Sequence, residues 1–574
     1  MTKPRLALVV CLLSSLAAAE RPGLVIVGAG ISGLSAALEG ARAGLQVTVV
    51  EINTVPGGHA VISSGGLLLV GTPLQAKNNI IDTPAHAERD FLAWGEDANR
   101  DWVRYYTRNS KTEIHDWMTA LGTEFVGVSV NGAGSTLARF HMPRQQGIGL
   151  VLPVYREILR RGDIQFLFAH RATGLATKDG RVTGVHLEDL RGNRKFTLEA
   201  ANVLISTGGF GADLDLVRLS WPKKVPLPER LLAGGGFFAN GSGMNIVRDA
   251  GGAAVSLDHQ WNYATGLPDP FDPTGQRGFF TVAMNAIWVN AQGKRFALEQ
   301  HEPKVTIPVV AAQRPARFWS IFDSEGFKSF RIVHAGFGAD RHEEVLKTLP
   351  KADSLAQLAQ LAGLPADALT ETVNRYNTMA AIGEDTEFHR RGPLKPIAQP
   401  PFYAAPMFVL IRKSMGGIHV DANCRVLNAS GQPIPGLYAS GEATGFGGIN
   451  GKNGMEGAFL GPSILMGRVA AQAIAKASQS KPATAQLAAL RQTPPPSNPK
   501  HAAQCAGCHD VPALIKEKRA GYWHFENSHQ LVLNRKFNCL ECHAEMLPFK
   551  METHKIDRHL QINACQRCHV NLTR

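Results

Sequence analysis

Hydrophobic residues near the start of the chain follow the pattern of a buried strand, an amphipathic helix and a second buried strand. Leu24–Val27 is an unbroken aliphatic run, as strands of a parallel sheet covered on both faces show, and Gln46–Val50 is a second run rich in valine. Between these runs, Leu34, Leu38 and Ala41 recur at helical spacing. The pattern predicts a strand–helix–strand unit and an α/β fold for the main part of the chain.

An earlier apolar run has the pattern of a secretory signal peptide. A basic start with Lys3 and Arg5 precedes the run Leu6–Leu16, and Ala17–Ala19 offers a small-residue cleavage site. The run is too short to span a bilayer comfortably, and no later stretch is long and apolar enough to do so, so we do not expect an integral membrane protein. We predict that residues 1–19 are a cleaved signal and that the protein is periplasmic.

The hydrophobic pattern ends at residues 479–500, where a proline-rich composition predicts an extended linker. Residues 501–574 then carry three Cys-x-x-Cys-His motifs, each the attachment signature of a c-type haem, whose iron the adjacent histidine ligates. Zinc is the alternative for paired cysteines, but zinc does not require a histidine after each pair. We therefore predict three haem c groups in a small, mainly α or irregular cytochrome domain. The motifs consist of Cys505, Cys508 and His509, of Cys539, Cys542 and His543, and of Cys565, Cys568 and His569.

Each predicted haem iron has room for a second axial ligand. The same region holds five further histidines, which is more than the three distal ligands needed. Bis-histidine ligation leaves no open iron position and favours electron transfer, whereas a thioether from Met546 or Met551 would raise the potential. The pairing of distal ligands with haems is left open. The candidate distal ligands are His501, His524, His529, His554 and His559.

Composition and charge add few constraints. A chain of 574 residues with 44% hydrophobic residues can bury two or more cores. The net charge is +12, but lysine and arginine do not form a run with interleaved aromatic residues, so nucleic acid is not an expected partner.

The predicted strand–helix–strand unit contains the sequence Gly28-Ala-Gly30-Ile-Ser-Gly33 and ends its second strand in Glu51. Gly28 would permit the tight turn, Gly30 would let the backbone approach a pyrophosphate, and Gly33 would let helix and strand pack closely. Glu51 would accept hydrogen bonds from ribose hydroxyls. With both strands, the helix and the acidic residue present, this pattern predicts a dinucleotide-binding site.

Further glycine motifs follow in a fixed order: Pro56–His59, Ser63–Gly66, Gly208–Phe210 and Gly441–Glu442. Over about residues 22–475, this ordered set resembles the flavoproteins of the fumarate reductase and succinate dehydrogenase group. The resemblance implies one FAD, with its diphosphate on the first glycine turn, its flavin near the Gly-Gly segment and its ribityl and phosphate region at the Gly-Glu pair. The candidate FAD contacts are Gly28, Gly30, Gly33, Glu51, Gly58, His59, Gly65, Gly208, Gly209, Gly441 and Glu442.

His59 precedes Gly65 by the six residues at which membrane-bound succinate dehydrogenases join FAD covalently to a histidine. The resemblance therefore admits a covalent flavin at His59. We favour a non-covalent contact, because soluble relatives commonly have an amide side chain in that position.

A narrower resemblance, to FAD-binding dehydrogenases related to ketosteroid dehydrogenases, is carried by Arg139-Phe-His141, Pro401-Phe-Tyr403, the Arg412–Gly417 and Gly445–Gly448 segments and Glu456–Gly461. It implies chemistry on a carbon–carbon bond, in which the flavin exchanges a hydride and a side chain exchanges a proton on the neighbouring carbon. The candidate catalytic residues are Lys413, Arg412, His141 and Tyr403, with Glu456 behind them.

The chain departs from the fumarate reductases at the positions that would clamp a dicarboxylate. Gly293-Lys-Arg-Phe296 is present, but the position of the proton-donating arginine holds Pro303 with Lys304 beside it. Arg412 and Lys413 replace two histidines, and Gly451–Gly454 lacks a substrate-binding arginine. We therefore expect an enoate or enone substrate other than fumarate.

The predicted organisation is a Rossmann-like FAD-binding domain at residues 20–230 and 395–478, an inserted α+β capping domain at 231–394, the linker, and the cytochrome domain. The predicted function is that of a flavocytochrome c. An external electron-transfer cytochrome, or a quinol-linked one, would feed the haems, which would reduce FAD and then a small unsaturated organic acceptor. Two alternatives remain: a dehydrogenase that desaturates its substrate and sends electrons out through the haems, and an electron relay without a substrate of its own.

Overall fold

The computed structural model describes residues 23–478, apart from residues 54, 133, 191–192, 237, 271, 273, 301 and 334–343. The β-strands are β1 Leu24–Val27, β2 Val47–Glu51, β3 Leu67–Leu68, β4 Phe125–Ser129, β5 Phe140–Pro143, β6 Ile164–Phe168, β7 His170–Lys178, β8 Arg181–Asp189, β9 Arg194–Glu199, β10 Asn202–Ile205, β11 Leu231–Ala233, β12 Ala254–Val255, β13 Gln260–Pro268, β14 Gly278–Val282, β15 Ile287–Val289, β16 Phe318–Phe322, β17 Arg331–Ile332, β18 Lys351–Ala352, β19 Phe402–Ser414, β20 Gly417–Ile418, β21 Arg425–Leu427 and β22 Pro433–Ala439. The α-helices are Ile31–Arg42, Pro73–Lys77, Pro84–Gly95, Arg100–Asn109, Trp117–Ala120, Ile148–Arg161, Leu214–Leu219, Ser242–Asp249, Pro303–Ala311, Ser324–Phe327, Leu355–Ala362, Ala366–Ile382 and Leu460–Ser478, and Ser110–Asp116 is π-helical.

A six-stranded sheet in the order β21-β22-β10-β1-β2-β6 is the base of the fold. β1 pairs in parallel with β2 and β10, which continue in parallel to β6 and β22. All four residues of β1 are buried, as the unbroken aliphatic run requires. The helix Ile31–Arg42 joins β1 to β2, which confirms the predicted strand–helix–strand unit. Because parallel strands end at one edge, the loops after β1, β10 and β22 meet there.

A larger, eight-stranded sheet lies beyond this base and is built around β19, a strand of 13 residues. β19 pairs with β13 and β16 in antiparallel fashion and with β11 in parallel. The sequence predicts that residues 395–478, which include β19, belong to the FAD-binding domain. In the structure, β19 is the central strand of the larger sheet. Its apolar run is buried along most of its length, so hydrophobicity alone does not reveal which sheet it joins.

The helix Leu460–Ser478 packs against the helix Ile31–Arg42. A Cβ atom on Gly467 would lie 2.2 Å from the carbonyl oxygen of Ser32, so the two backbones approach closely at this glycine. At its far end, Asn202 Nδ2 donates to Ser478 Oγ at 3.3 Å, beside the start of β10. The helix therefore runs from the carboxyl edge of the sheet to its amino edge. Within the described ranges, no helix is both long and apolar enough to cross a membrane.

Candidate active site

The turn after β1 has the backbone geometry of a pyrophosphate cradle. Gly28 has a φ of +107°, and a Cβ atom there would lie 2.4 Å from the Ser206 carbonyl oxygen. A Cβ atom on Gly33 would lie 2.0 Å from the Gly28 carbonyl oxygen, so both positions exclude a side chain. At Gly30 a Cβ atom would meet nothing within 4 Å, which is the open face that a diphosphate needs at a helix N-terminus. These residues fit FAD.

Glu51 is fixed beside this turn at the end of β2. Its Oε2 accepts from Ala29 N at 2.6 Å, and its Oε1 accepts from Asn53 N at 2.8 Å. Burial raises the pKa of Glu51, and the backbone donors partly oppose that shift. Each carboxylate oxygen has a second lone pair, so the group remains able to accept from a ribose hydroxyl.

The loops after β10 and β22 bring the later glycine motifs to the same edge. Ser440 Oγ lies 2.9 Å from Ser206 Oγ and 2.8 Å from Ser32 Oγ, so hydroxyl groups link these two loops to the first turn of the helix Ile31–Arg42. A Cβ atom on Gly209 would lie 1.9 Å from Ser414 Oγ. Ser414 N in turn donates to Glu442 Oε1 at 3.2 Å, which places the predicted Gly-Gly and Gly-Glu motifs around one point.

The segment with His59 lies between the glycine turn and a second glycine-rich stretch. Gly57 N donates to the Ala29 carbonyl oxygen at 2.7 Å, and a Cβ atom on Gly58 would lie 3.3 Å from Gly30 Cα. On its other side, a Cβ atom on Gly236 would lie 3.1 Å from His59 Cβ. His59 is therefore adjacent to the proposed cofactor path, as the glycine spacing predicts. Gly65 has a φ of +78° and packs against the backbone of Gln146.

Arg412 and Lys413, at the end of β19, form the cationic part of the site. Arg412 Nη1 donates to the Gly234 carbonyl oxygen, while its buried Nε makes no hydrogen bond within the described chain. Lys413 Nζ lies 3.9 Å from the Phe459 ring centroid. Burial lowers the pKa of both groups, and the Arg412 charge lowers that of Lys413 further. Burial raises the pKa of nearby Glu442, and the two cations limit that rise.

Arg277 is a third cation at this site that the sequence analysis missed. Its Nη2 donates to the Gly235 carbonyl oxygen at 2.9 Å. Burial lowers the pKa of Arg277 to about 10, and the charge of Arg412 adds to the effect. Arg412 and Arg277 therefore both bind carbonyl oxygens of the Gly234–Gly236 stretch, and Lys413 follows Arg412 directly. Cations so placed can stabilise negative charge on a reduced flavin or a substrate oxygen.

Tyr263 and Glu456 are joined at the same place by a hydrogen bond of 2.5 Å from Tyr263 Oη to Glu456 Oε1. Sequence motifs indicate Glu456 near the site but do not indicate Tyr263. The residue belongs to no glycine motif, and its position depends on the pairing of β13 with β19, which no local pattern reveals.

His141 and Tyr403 lie in packed surroundings, and within the described chain neither has a hydrogen bond to Tyr263 or Glu456. His141 is fully buried, its Nδ1 donates to the Arg139 carbonyl oxygen and its Nε2 accepts from Thr72 Oγ1, both at 2.7 Å. Burial lowers its pKa to about 4. Tyr403 stacks on Phe327 at 4.6 Å, at the other end of β19 and roughly 30 Å of extended chain from Lys413. We therefore leave both out of the proposed catalytic group.

The Gly-Lys-Arg-Phe motif and the residues after it have structural contacts. Arg295 has a fully buried side chain and pairs with Glu299 and Asp385 at 2.7 and 2.6 Å. Pro303 is the first residue of a helix, and Lys304 Nζ pairs with Glu96 at 2.8 Å. Lys304 thus ties this helix to the chain that follows the helix Pro84–Gly95.

The predicted signal peptide at residues 1–19, the linker and all predicted haem residues lie outside the described residues. The haem positions are Cys505, Cys508, His509, Cys539, Cys542, His543, Cys565, Cys568 and His569, with the distal candidates His501, His524, His529, Met546, Met551, His554 and His559.

Comparison with known proteins supports the assignment of the glycine-lined site. The family described as FAD binding domain matches residues 23–460. A fumarate reductase (cytochrome) of Shewanella frigidimarina is 30% identical over 462 residues, which cover 79% of this chain and 77% of the relative. A KsdD-like steroid dehydrogenase of Mycobacterium tuberculosis is 27% identical over 544 residues, which cover 79% of this chain and 95% of the relative.

The fold is also shared with a solved structure. The open conformation of a flavocytochrome c3 fumarate reductase superposes with a TM-score of 0.69 at 24% identity, covering 80% of this chain and 79% of that one. The mixed α/β architecture predicted from the sequence is thereby confirmed for the FAD-binding part. The chain therefore belongs to the FAD-binding flavoprotein family of the fumarate reductases and succinate dehydrogenases, and it is an FAD-dependent oxidoreductase that acts on CH–CH groups.

Proposed function

We propose that this protein is a periplasmic flavocytochrome c that takes electrons through three c-type haems and reduces an unsaturated organic acceptor of the enoate or enone type. The observation that carries the proposal is the group of buried cations at the FAD cradle. Arg412 and Arg277 donate to the carbonyl oxygens of Gly234 and Gly235, and Lys413 is the residue next to Arg412. Arg412 Nε is buried without a hydrogen-bond partner within the described chain. Such a group suits a substrate whose oxygen gains negative charge during reduction.

Bound FAD supplies the hydride in this chemistry. The Gly28–Gly33 turn and Glu51 hold the dinucleotide, and the Gly209–Glu442–Ser414 contacts set the shape of the cleft beside it. Two cations orient the acceptor and its oxygen. Lys413 is held over the Phe459 ring, and Arg412 is held by the Gly234 carbonyl oxygen. We favour a non-covalent flavin with His59 as a contact.

The proposed substrate is not fumarate, because the positions that would hold a second carboxylate are filled differently. Pro303 begins a helix, and its neighbour Lys304 pairs with Glu96. At Gly454, a Cβ atom would lie 2.8 Å from Trp261 Cε3, so this position has no space for an arginine. One anionic or carbonyl group can meet Arg412 and Lys413, but a second carboxylate lacks a partner at these positions.

The electron supply is proposed from the three haem motifs of residues 501–574, and the relative named as a cytochrome-type fumarate reductase supports it. A periplasmic cytochrome or a quinol-linked cytochrome would be the donor. FAD and haem on one chain place donor and acceptor at a high effective concentration, limited by the linker.

Steady-state assays of the full-length holoprotein test the proposal. With reduced methyl viologen as donor, we expect turnover of at least one of acrylate, cinnamate and a conjugated cyclic enone, and slow turnover of fumarate. Lys413→Met removes the charge but keeps length and should abolish turnover, whereas Lys328→Met, at an exposed pair with Glu325, should not. Fumarate reduction at roughly 10 per second or faster would contradict the proposed substrate class.

The opposite direction of electron flow is the second candidate, and the relative named as a KsdD-like steroid dehydrogenase favours it. A dehydrogenase would oxidise a saturated ketone with an artificial acceptor and would reduce its own haems in the process. The appearance of reduced haem bands after addition of a saturated ketone, without turnover of any alkene, would select this alternative. A relay without a substrate would respond to neither assay.

A further inference from the structure

Tyr263 and Glu456 form a hydrogen-bonded pair that spans the two parts of the fold. Tyr263 belongs to β13 of the larger sheet, and Glu456 lies just before the helix Leu460–Ser478, 193 residues later. The phenol donates to the carboxylate at 2.5 Å, and Tyr263 is 7% exposed. Ligand sites commonly lie where two such parts meet.

The register of the larger sheet places this phenol beside the buried cations. Trp261 pairs with Lys413 across β13 and β19, and Tyr263 pairs with Leu410 further along the same strands. The pairing shifts at Arg412, so the side is given by direct contacts instead. The Trp261 ring centroid lies 5.9 Å from that of Tyr263 and 5.5 Å from that of Phe459, and Lys413 Nζ lies 3.9 Å from the Phe459 centroid. The Tyr263 ring stacks on Phe280 at 4.0 Å, which fixes the direction of its hydroxyl.

Resting on the proposed function, we infer that Tyr263 is the catalytic residue that exchanges a proton with the substrate carbon next to the one that exchanges a hydride with the flavin. Glu456 is the positioning residue that orients the phenol and restores its proton. During reduction, the flavin hydride forms one C–H bond as the C=C π bond breaks, and the Tyr263 O–H proton forms the other. The Glu456 carboxylate then takes a proton from solvent and passes it to the phenolate, which restores both groups. Desaturation runs the same steps in reverse.

The surroundings of Tyr263 keep the phenol protonated before it reacts. Burial and the Glu456 charge raise the pKa of Tyr263 well above its ordinary value, so the phenol keeps its proton until the substrate carbon becomes basic. The nearby Arg412 charge opposes that shift and favours the phenolate as it forms. Arg412 and Lys413 then stabilise charge on the substrate oxygen instead of supplying the proton.

Tyr263→Phe tests the inference in the full-length holoprotein, because it removes one oxygen and keeps the ring on Phe280. We expect viologen-driven turnover of acrylate, cinnamate or the cyclic enone to fall at least 100-fold, mainly in kcat. Flavin content, haem reduction by dithionite and the flavin-band change on acceptor binding should match the wild type. Tyr376→Phe is the control, since Tyr376 is a buried tyrosine of the same part of the fold whose hydroxyl makes no hydrogen bond among the described residues.

Glu456→Gln separates the positioning role from a merely structural one. The amide can still accept from the Tyr263 hydroxyl but cannot return a proton, so kcat should fall and its dependence on pH should change while acceptor binding persists. Turnover by Tyr263→Phe within threefold of the wild type would overturn the inference and leave the proposed function intact. Failure of the wild type with every acceptor would instead overturn the proposed function and the inference together.

Discussion

Arg412 and Lys413 are adjacent on one strand, yet their side chains have different partners. Arg412 reaches a backbone carbonyl of Gly234, and Lys413 lies over the ring of Phe459. A buried cation held by a carbonyl dipole or a ring face keeps much of its charge available, because neither partner neutralises it as a carboxylate would. The two residues therefore keep the positive potential that the proposed function assigns to them, since their partners in the described chain are a carbonyl oxygen and an aromatic ring.

Gly30 allows a sharp test of the cofactor site, because a side chain there meets no protein atom within 4 Å and φ is −67°. Gly30→Val should thus leave the fold intact and place its methyl groups in the path of the pyrophosphate. We expect purified Gly30→Val to contain less than a tenth of the wild-type flavin, measured by absorbance after extraction, with unchanged haem content.

Gly127→Val is the matched control for that variant. A Cβ atom on Gly127 in β4 also meets nothing within 4 Å, and its φ is not positive, but the residue lies outside the glycine-lined edge. It should retain full flavin. Equal flavin in the two variants would refute the placement of the diphosphate at Gly30.

Among the secondary-structure elements, β19 connects the core of the larger sheet to the cations of the candidate active site. Its first residues pair with β16 and β18, where Tyr403 stacks on phenylalanine rings, and its last residues carry Arg412 and Lys413 into the cleft. A shift of one residue in its register would turn every side chain to the opposite face. Near its end, Trp261 pairs with Lys413 and Asn262 with Ile411, so Arg412 is an extra residue at a bulge and the alternation of faces is interrupted there.

The larger sheet is also stabilised by the buried ion pairs of Arg295, and their loss gives a stability prediction. Removing one member of a buried pair leaves an unpaired charge, at a cost of about 3–5 kcal/mol. Arg295→Met leaves the carboxylates of Glu299 and Asp385 without their partner and should lower the midpoint of thermal unfolding by several degrees. Arg144→Met, at an exposed pair with Glu124, should leave the midpoint nearly unchanged.

The dependence on pH provides an independent check of the same pairs. The Arg295 charge and backbone donors hold the pKa of Asp385 below its ordinary value of 3.8. A carboxyl group with a lowered pKa in the folded state stabilises the fold above its unfolded pKa, and that contribution is lost as the pH falls toward the folded pKa. The difference in unfolding midpoint between wild type and Arg295→Met should therefore be constant near neutral pH and shrink below about pH 4. A difference that stays constant at acid pH would contradict the assignment.

Across the whole molecule, the described chain ends far from the FAD cradle. Ser478 lies at the amino edge of the six-stranded sheet, beside Asn202, whereas the glycine turns occupy the carboxyl edge. A chain of 22 residues, the length of the proposed linker 479–500, spans at most roughly 70 Å. The proposed electron transfer within one chain requires the cleft side to lie within that distance of Ser478.

Ending the chain after Ser478 tests that arrangement, because residues 23–478 contain the sheets and the buried cores of the described structure. The shortened protein should bind FAD and accept electrons from dithionite, but turnover driven by a reduced cytochrome should be lost. Intact mass of the full-length protein should show three haem additions. Retained cytochrome-driven turnover in the shortened protein would exclude the haem route.

Local sequence was sufficient to predict those features whose backbone conformation and hydrogen bonds involve only neighbouring residues. The glycine turn, the helix after it and Glu51 follow within about thirty residues, and each is dictated by backbone sterics or short-range hydrogen bonds, so they could be predicted and the structure places them together. The haem motifs are equally local, since one peptide segment supplies the thiols and the histidine.

The identity of the catalytic group depends on contacts between distant segments, and local patterns carry no information about them. His141 and Tyr403 follow from local motifs, and the fold adds that His141 makes two hydrogen bonds and that Tyr403 stacks on phenylalanine rings. Tyr263 had no motif, and it meets Glu456 only because β13 pairs with β19 and the larger sheet closes against the FAD-binding part. Strand register and the packing of the two parts decide which polar atoms face each other, and both are set by the burial of apolar surface over the entire fold.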